Sequence, residues 1–383
     1  MYETVRRLSG AHAFDVYTLA SADHDFADLR PYVRSHKVYD FERGSLLQSP
    51  FGRLNMMIRA ADIRRIQKLE RQISADIASQ PYDVLFVNPC QVEVGPSILR
   101  YTQLPGVYYC QEPPRVVYEE APARPYTQKS SRRETLDQID PLRSAYFRKL
   151  KDNDRQNFFA AKQVLVNSKF MKHSVERIYN HEVQVCYLGT DTQLFQPLDL
   201  PKESVLLSVG SLTPLKNFDF LIKALGALPV NRRPALWIAS NFQNPPERAF
   251  LENLAQQLEV ELKLLGNISD AELVRLYNTA SITVYAPIRE PFGLVPLESM
   301  ACGTPVVAVA EGGMQETILN GTTGYLVERS VEQFSEAVLT LLENQSMAEE
   351  MGAAGRQHVL QHWTWDNAAE RLETFLADTA RLN

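Results

Sequence analysis

The sequence predicts an α/β protein in which parallel sheets are covered by helices on both faces. Short runs rich in β-branched and aromatic residues alternate with longer segments of helical periodicity, and this alternation is typical of a doubly wound parallel sheet. With 383 residues, 45% of them hydrophobic, the chain is long enough for two or three domains with cores of their own.

Six strands and three helices are predicted in the first half of the chain. The strands are residues 14–20, 36–41, 83–89, 106–112, 163–168 and 183–189, and the helices are residues 1–8, 54–77 and 132–161. The two long helices are rich in basic residues, which indicates either a face that meets a membrane surface or lipid phosphate, or a solvated face of the usual kind. These basic residues are Arg53, Arg59, Arg64, Arg65, Lys68 and Arg71 in the first, and Arg132, Arg133, Arg143, Arg148, Lys149 and Lys151 in or near the second.

The charge is distributed unevenly along the chain. Residues 1–195 carry 27 Lys and Arg against 23 Asp and Glu, or +4, whereas the remainder carries 13 against 23, or −10. The net charge of −6 argues against general nucleic-acid binding. Two interpretations of the positive first half stay open, namely proximity to an anionic surface or acceptor, and ordinary surface variation.

The cysteines and the apolar runs indicate a cytoplasmic protein. No apolar run approaches the ~20 residues of a membrane span, so a membrane contact would be peripheral. The cysteines show neither a paired nor a metal-ligand spacing, which fits reduced thiols. They are Cys90, Cys110, Cys186 and Cys302.

Residues 282–327 contain the densest chemistry of the chain. A predicted buried strand, residues 282–287, is followed by a short polar loop, a helix and a second buried strand, residues 305–310. In a parallel sheet the strand end and the helix start meet at one edge, where ligands bind. The free amides of Phe292, Gly293 and Leu294 would therefore favour an anion such as a phosphate.

Two carboxylates, Glu290 and Glu298, flank this helix start. On one continuous helix they would lie ~12 Å apart, beyond the ~5 to 9.5 Å of paired carboxylates in glycosidases. Separate tasks are therefore the better interpretation. A carboxylate accepts two hydrogen bonds and so suits a vicinal diol, either the ribose of a nucleotide or the hydroxyls of a sugar.

The segment EPFGLVPLE and the residues that follow it to Val327 resemble the donor-binding segment of the family 4 retaining glycosyltransferases. The resemblance implies the two-domain GT-B fold, with two Rossmann-like domains facing across a cleft. It also implies transfer of a hexose from a nucleoside diphosphate sugar to an acceptor hydroxyl of a saccharide or lipid-linked acceptor, without a metal or other cofactor. Glu290 would contact the transferred sugar and Glu298 the ribose.

Further positions follow the same resemblance. Lys216 lies between the strand that ends at Gly210 and the next helix, where its charge can neutralise a diphosphate. Ser211 stands where the family usually has an arginine, so one of two expected cations is absent. Gly266 and Asn267 are expected near the base, through main-chain contacts. Gly312 and Gly313 are expected to let the main chain approach a ligand closely.

The first domain departs from the family pattern in two places. Gln111 stands where a histidine near the reacting sugar carbon is common, and a glutamine cannot carry a proton. Residues 1–8 correspond to the first helix, so the strand and Gly-rich turn before it are missing. We therefore expect a vacant position in the N-terminal sheet beside residues 14–20.

The predicted domains are residues 1–195 on the acceptor side, residues 196–362 for the nucleotide-sugar, and a closing helix, residues 363–383, that crosses back. Two alternatives to a transferase stay open. The first is a catalytically impaired binder of nucleotide-sugars, motivated by Gln111, Ser211 and the missing strand. The second is a nucleotide-sugar epimerase on the same fold, for which Glu290 is the one obvious acid or base.

Overall fold

Three parallel sheets organise the polypeptide, in a computed structural model that describes residues 1–48, 54–127 and 140–382. Helices cover the sheets, as the alternation of the sequence predicts. Of the basic positions expected on the long helices, Arg53, Arg132 and Arg133 lie outside the described residues.

The N-terminal strands divide into two sheets. Strands β1 and β2 pair in parallel, and β3, β4, β5 and β6 form a separate four-stranded sheet in that order. The hydroxyls of Tyr17 in β1 and Tyr82 just before β3 lie 2.9 Å apart across the break. The break therefore occurs where the sequence predicts a vacant position. The bounds are β1 Asp15–Leu19, β2 Ser35–Tyr39, β3 Leu85–Val87, β4 Gly106–Tyr109, β5 Gln163–Val166 and β6 Gln184–Val185.

The helices of this half begin where local chemistry allows. Asp140 accepts a hydrogen bond from the amide of Leu142 at 3.0 Å, and Pro141 occupies the first helical position, so the described helix starts there. The helix start predicted at residue 132 lies outside the described residues. The bounds are α1 Tyr2–Leu8, α2 Asn55–Ala78, α3 Arg115–Tyr118, α4 Pro141–Ala160 and α5 Lys169–Tyr179.

The C-terminal half is built on one six-stranded parallel sheet with the order β12-β11-β10-β7-β8-β9. Its inner strands are buried on both faces because each face carries a hydrophobic cluster under helices. The strands are β7 Glu203–Val209, β8 Ala235–Ala239, β9 Leu262–Leu265, β10 Ala280–Tyr285, β11 Val306–Val309 and β12 Gly324–Val327. The helices are α6 Phe218–Gly226, α7 Pro245–Gln257, α8 Asp270–Thr279, α9 Leu294–Ala301, α10 Met314–Thr317, α11 Val331–Glu343, α12 Gln345–His362 and α13 Trp365–Ala380.

Two crossings between the halves lie side by side. The amide of Thr190 donates to the carbonyl of Trp363 at 2.8 Å, and a Cβ added to Gly189 would lie 2.4 Å from the backbone of Thr364. Helix α13 then packs Leu372 into the cluster under the four-stranded sheet. On these contacts we propose the same boundaries as the sequence suggests, at residues 195 and 362.

A third connection is the segment of residues 110–127, here called the strap, which leaves β4 and reaches the C-terminal half. The buried guanidinium of Arg124 forms ion pairs with Asp219 at 2.9 Å and Glu247 at 3.1 Å. A buried ion pair has low tolerance for the loss of either partner. The strap is therefore fixed to α6 and α7.

Candidate functional site

Lys216 and Glu290 form an ion pair at the carboxyl edge of the C-terminal sheet. The ammonium of Lys216 lies 2.9 Å from Glu290 Oε2 and donates to the hydroxyl of Tyr285 at 3.2 Å. The side chains of Lys216 and Glu290 are 23% and 17% exposed, so both keep access to solvent. The lysine stem lies over Gly210, where an added Cβ would come within 3.1 Å of Lys216 Cδ. Gly210 thus gives the lysine room to reach across the end of β7.

The Glu290 loop, residues 286–293, rests on two glycines. A Cβ on Gly312 would lie 2.3 Å from the carbonyl oxygen of Glu290, and the amide of Gly313 donates to that oxygen at 2.9 Å. Arg289 has a φ of 51°, a left-handed backbone conformation that is uncommon outside glycine and asparagine. Gly312 and Gly313 were expected to let the main chain approach a ligand, whereas the close approach in the structure is made to this loop.

The amides at the start of α9 are free to bind a ligand. None of the amides of Phe292, Gly293 and Leu294 has a hydrogen-bond partner among the residues that the structure describes. Gly293 has a φ of 96°, which only glycine adopts readily. The ring of Phe292 is buried and packs against Tyr187 and Trp363. Since the ring points inward, the main chain of this turn faces the ligand edge with the positive end of the helix dipole.

Glu298, in the second turn of α9, is held by Tyr277. The Tyr277 hydroxyl donates to Glu298 Oε2 at 2.7 Å. Burial raises the pKa of Glu298 to about 6, with a smaller increase from the charge of Asp270, while the hydrogen bond from Tyr277 acts in the opposite direction. The protonation state of Glu298 therefore changes near pH 6.

Tyr285 at the end of β10 lies near both carboxylates. Burial is the main reason that its pKa is well above the usual value, and the charges of Glu290 and Glu298 add to the shift. One buried phenol thus connects the two acids and Lys216. An anionic group can sit between the lysine and the α9 amides, and a group with several hydroxyls can meet the carboxylates.

Comparison with known proteins finds similarity to one family. Residues 190–358 match the family of glycosyl transferases group 1. The resemblance thus covers most of the C-terminal half of the chain. A D-inositol 3-phosphate glycosyltransferase of Corynebacterium aurimucosum is 34% identical over 212 residues, which cover 50% of each protein. The chain spans about half the length of the curated relatives that it matches.

Solved structures confirm the predicted GT-B fold. Sucrose-phosphate synthase from Thermosynechococcus elongatus has a TM-score of 0.75 at 22% identity, over 100% of this chain and 92% of that protein. Anabaena HepE in complex with UDP and glucose has a TM-score of 0.68 at 17% identity, over 98% and 95%.

The remaining candidate residues lie along the same edge. The order β10-β7-β8-β9 places Gly266 and Asn267, which follow β9 and are exposed, about 10 Å from the end of β7. Asn267 has a φ of 56°. Ser211, directly after Gly210, is partly exposed, and its hydroxyl lies 3.5 Å from Thr213 Oγ1. Ser211 supplies no charge, so Lys216 carries the positive charge beside the end of β7.

Gln111 follows β4, on the N-terminal side of the site. It is exposed, and its side chain makes no hydrogen bond with the residues described. Four residues later, Arg115 donates to the carbonyls of Arg289 at 2.8 Å and Ile288 at 3.4 Å. Arg115 also forms ion pairs with Glu112 at 2.6 Å and with Glu119 at 3.5 Å. Arg115 also connects the strap to the Glu290 loop.

Sequence reasoning missed two contacts that join the two domains, one of them to the Glu290 loop. Ser168, the N-cap of α5, donates through its hydroxyl to the carbonyl of Pro291. The carboxylate of Glu316 accepts from the amides of Lys169 and Phe170, each at 2.9 Å. A glutamate on one domain therefore caps a helix of the other. No local pattern around Glu316 indicates this partner, which lies 147 residues away.

In residues 1–48, 54–127 and 140–382 there is no group of three or more His, Cys, Asp or Glu side chains arranged to hold a metal ion. Within the same ranges, no helix combines the length and apolarity needed to cross a membrane.

Proposed function

We propose that this chain transfers a hexosyl group, of the mannosyl or glucosyl type, from a nucleoside diphosphate sugar to an acceptor hydroxyl with retention of anomeric configuration. The observation that carries the proposal is the Lys216–Glu290 pair beside the unpartnered amides of α9. At this sheet edge the cation and the amides suit the diphosphate of such a donor, and the two carboxylates, Glu290 and Glu298, suit its sugar and its ribose. The match of residues 190–358 to the glycosyl transferases group 1 supports the assignment.

Each part of the donor has a proposed partner. The diphosphate lies against the amides of Phe292, Gly293 and Leu294 and takes the charge of Lys216 as the glycosidic bond breaks. Glu290 accepts hydrogen bonds from the hexose. Glu298 accepts from the ribose hydroxyls, and the main chain at Gly266 and Asn267 meets the base.

The acceptor approaches from the N-terminal domain. Gln111 has an exposed amide at the end of β4, where it can orient a sugar hydroxyl but cannot remove a proton. The developing charge on the leaving diphosphate is the natural base in its place. Saccharide and lipid-linked alcohols are the acceptor classes. One relative, from Corynebacterium, is named for inositol 3-phosphate. Phosphorylated polyols are therefore a further acceptor class to test.

A binder of nucleotide-sugars is the second candidate. Ser211 adds no second positive charge beside Lys216, and Gln111 cannot transfer a proton. Binding without turnover is therefore a coherent alternative. The protein is proposed to act in the cytoplasm, with a peripheral membrane contact through its positively charged N-terminal half.

The test is a panel of common nucleotide-sugars with each acceptor class and without acceptor. Calorimetry measures binding, and release of nucleoside diphosphate measures turnover. Saturable binding with diphosphate release supports the transferase. Binding without release from any donor supports the binder, and absence of both contradicts the site assignment.

A further inference from the structure

A cavity of about 470 Å³ lies in the N-terminal domain, away from the Lys216–Glu290 site. Helix α2, helix α4 and the short helical segment Ser97–Arg100 with the following Tyr101 form its walls. None of its lining residues has a hydrogen bond or ion pair with the C-terminal half among the residues described.

The cavity and the strap use opposite sides of α4. Residues 145, 148, 149, 152 and 156 line the cavity, and their spacing of three or four places them on one face of the helix. Asp154, on another face, accepts hydrogen bonds from Tyr118 of the strap and from Tyr179, each at 2.7 Å. The cavity is therefore separate from the surface that supports the Glu290 loop.

Basic side chains dominate the lining, which includes Arg71, Arg100, Arg148 and Lys149 against the single carboxylate of Asp152. Within the described residues, Arg71, Arg148 and Lys149 have no hydrogen bond or ion pair, and Arg100 donates only to neutral groups. A second carboxylate, Glu93, lies behind Gln67, which donates to it at 2.6 Å. A third carboxylate, Glu70, accepts a hydrogen bond from Ser97 behind the same wall, and burial raises its pKa to about 7. Four positive charges therefore face at most three negative charges, and only one of the three lines the cavity. Such an excess attracts an anion.

Aromatic packing holds two of the cations in place. The guanidinium carbons of Arg71 and Arg100 lie 4.8 Å and 5.4 Å from the ring centroid of Tyr101. Arg100 is fixed further by a 2.6 Å hydrogen bond to Gln156 Oε1. Pre-positioned guanidinium groups are suited to oxyanions because their planar donors match phosphate oxygens.

A buried amide supplies an independent indication of a ligand. Asn153 lines the cavity and is 6% exposed, yet its Nδ2 has no hydrogen-bond partner in the described part of the chain. Arg100 Nε is buried and unpartnered in the same way. Buried donors without partners are costly and uncommon in native proteins. An oxyanion in the cavity can accept from both.

We propose that this cavity binds a phosphate group through Arg71, Arg100 and Asn153, with Arg148 and Lys149 adding charge at its mouth. The phosphate can belong to a soluble phosphorylated molecule or to a lipid headgroup, since both present the same oxygens. The site is independent of the donor chemistry proposed above.

The binding test uses the full chain with Lys216→Ala, which weakens the proposed diphosphate site, and the variants below distinguish its remaining contribution from that of the cavity. Inorganic phosphate is titrated by calorimetry, and vesicles of phosphatidylcholine with and without phosphatidylinositol 4-phosphate are used in flotation. Arg100→Gln removes the packed cation. Arg148→Glu reverses an exposed charge and leaves the packing of Arg71 and Arg100 on Tyr101 intact. Arg177→Gln removes a charge at an exposed position of α5, outside the cavity, and is the control.

We expect saturable phosphate binding that weakens at least tenfold in Arg100→Gln and Arg148→Glu but not in Arg177→Gln. Flotation with phosphoinositide vesicles that the same two variants abolish assigns the phosphate to a lipid. Phosphate binding without flotation assigns it to a soluble molecule. No saturable binding, or equal binding by Arg148→Glu and Arg177→Gln, overturns the proposal. Donor binding by the Lys216-containing protein is measured separately, so the two proposals fail independently.

Discussion

Lys216 and Glu290 are separated by 74 positions in the chain, yet the ammonium of one lies 2.9 Å from the carboxylate of the other. The pair forms because β7 and β10 are neighbours in the sheet, so the loops after them open at the same edge. Tyr285 lies at the same place and fixes the ammonium further. The predictions below depend on this arrangement and on the contacts that hold it.

Removal of the lysine charge should reduce turnover more than binding. In Lys216→Ala we expect kcat to fall roughly 100- to 1,000-fold, as for loss of one group that stabilises a developing anion. Lys263→Ala is the control, since this edge-strand lysine contacts only the ring of Trp237 among the described residues. Steady-state release of nucleoside diphosphate measures both variants. An equal effect of the two substitutions would contradict the role of Lys216.

Donor binding should depend on the ionisation of Glu298. Because burial raises its pKa to about 6, the carboxylate is mostly protonated at pH 5 and mostly ionised at pH 7. Only the ionised form accepts from both ribose hydroxyls, so we expect affinity for the nucleoside diphosphate to rise roughly tenfold over this range. Calorimetry at several pH values measures this affinity, and Glu298→Gln should show no such rise.

The same shift affects stability. A carboxyl whose pKa is raised in the folded state stabilises the fold fully below its unfolded pKa and loses that contribution as pH rises through the folded value. Between about pH 3 and about pH 8 the free energy of unfolding should therefore fall by about 2 kcal/mol relative to Glu298→Gln, with most of the change between pH 4.5 and pH 6. A parallel pH dependence in both proteins would exclude Glu298 as the source.

Gly312 should be essential for the shape of the Glu290 loop. In Gly312→Ala the new Cβ would meet the carbonyl of Glu290, and its φ of 71° adds strain. We expect the free energy of unfolding to fall by about 2–5 kcal/mol, with loss of turnover. Gly321→Ala is a matched control, because its φ is 76° and nothing lies within 4 Å of the added Cβ. It should lose only about 1–2 kcal/mol and keep full turnover.

Arg124 should contribute far more to stability than an exposed lysine that shares one of its partners. Arg124→Met leaves Glu247 buried without its cation, and we expect a loss of about 3–5 kcal/mol in denaturant unfolding. Lys223→Met removes a 49% exposed partner of the same Asp219 and should cost less than about 1 kcal/mol. Similar losses in the two variants would show that the strap is not fixed by the buried pairs.

Local patterns were sufficient to predict the strand ends that carry the candidate site. Lys216, Glu290 and the α9 amides follow buried strands, and the geometry of parallel sheets then places them together. Strand lengths were less predictable. Residues 110–112 were expected in β4, but the strand ends at Tyr109, where the chain turns into the strap. The pairing partner decides such an end, and the sequence does not show the partner.

Contacts between distant segments could not be predicted from the sequence. Glu316 and Arg124 are charged residues like many others until the fold supplies a helix terminus for one and two buried carboxylates for the other. Gly312 illustrates the same limit. Its sequence context indicated a close approach, but only the structure identifies the Glu290 loop as the partner.

The paired crossings at Thr190 and Trp363 limit how the two halves can move. Two polypeptide segments joined by a main-chain hydrogen bond resist translation and separation of the two halves more than a single flexible linker does. They still permit swivelling about the axis that runs through them. Opening of the cleft should therefore be a hinge rotation about this axis, with the largest displacement at the rim farthest from Gly189.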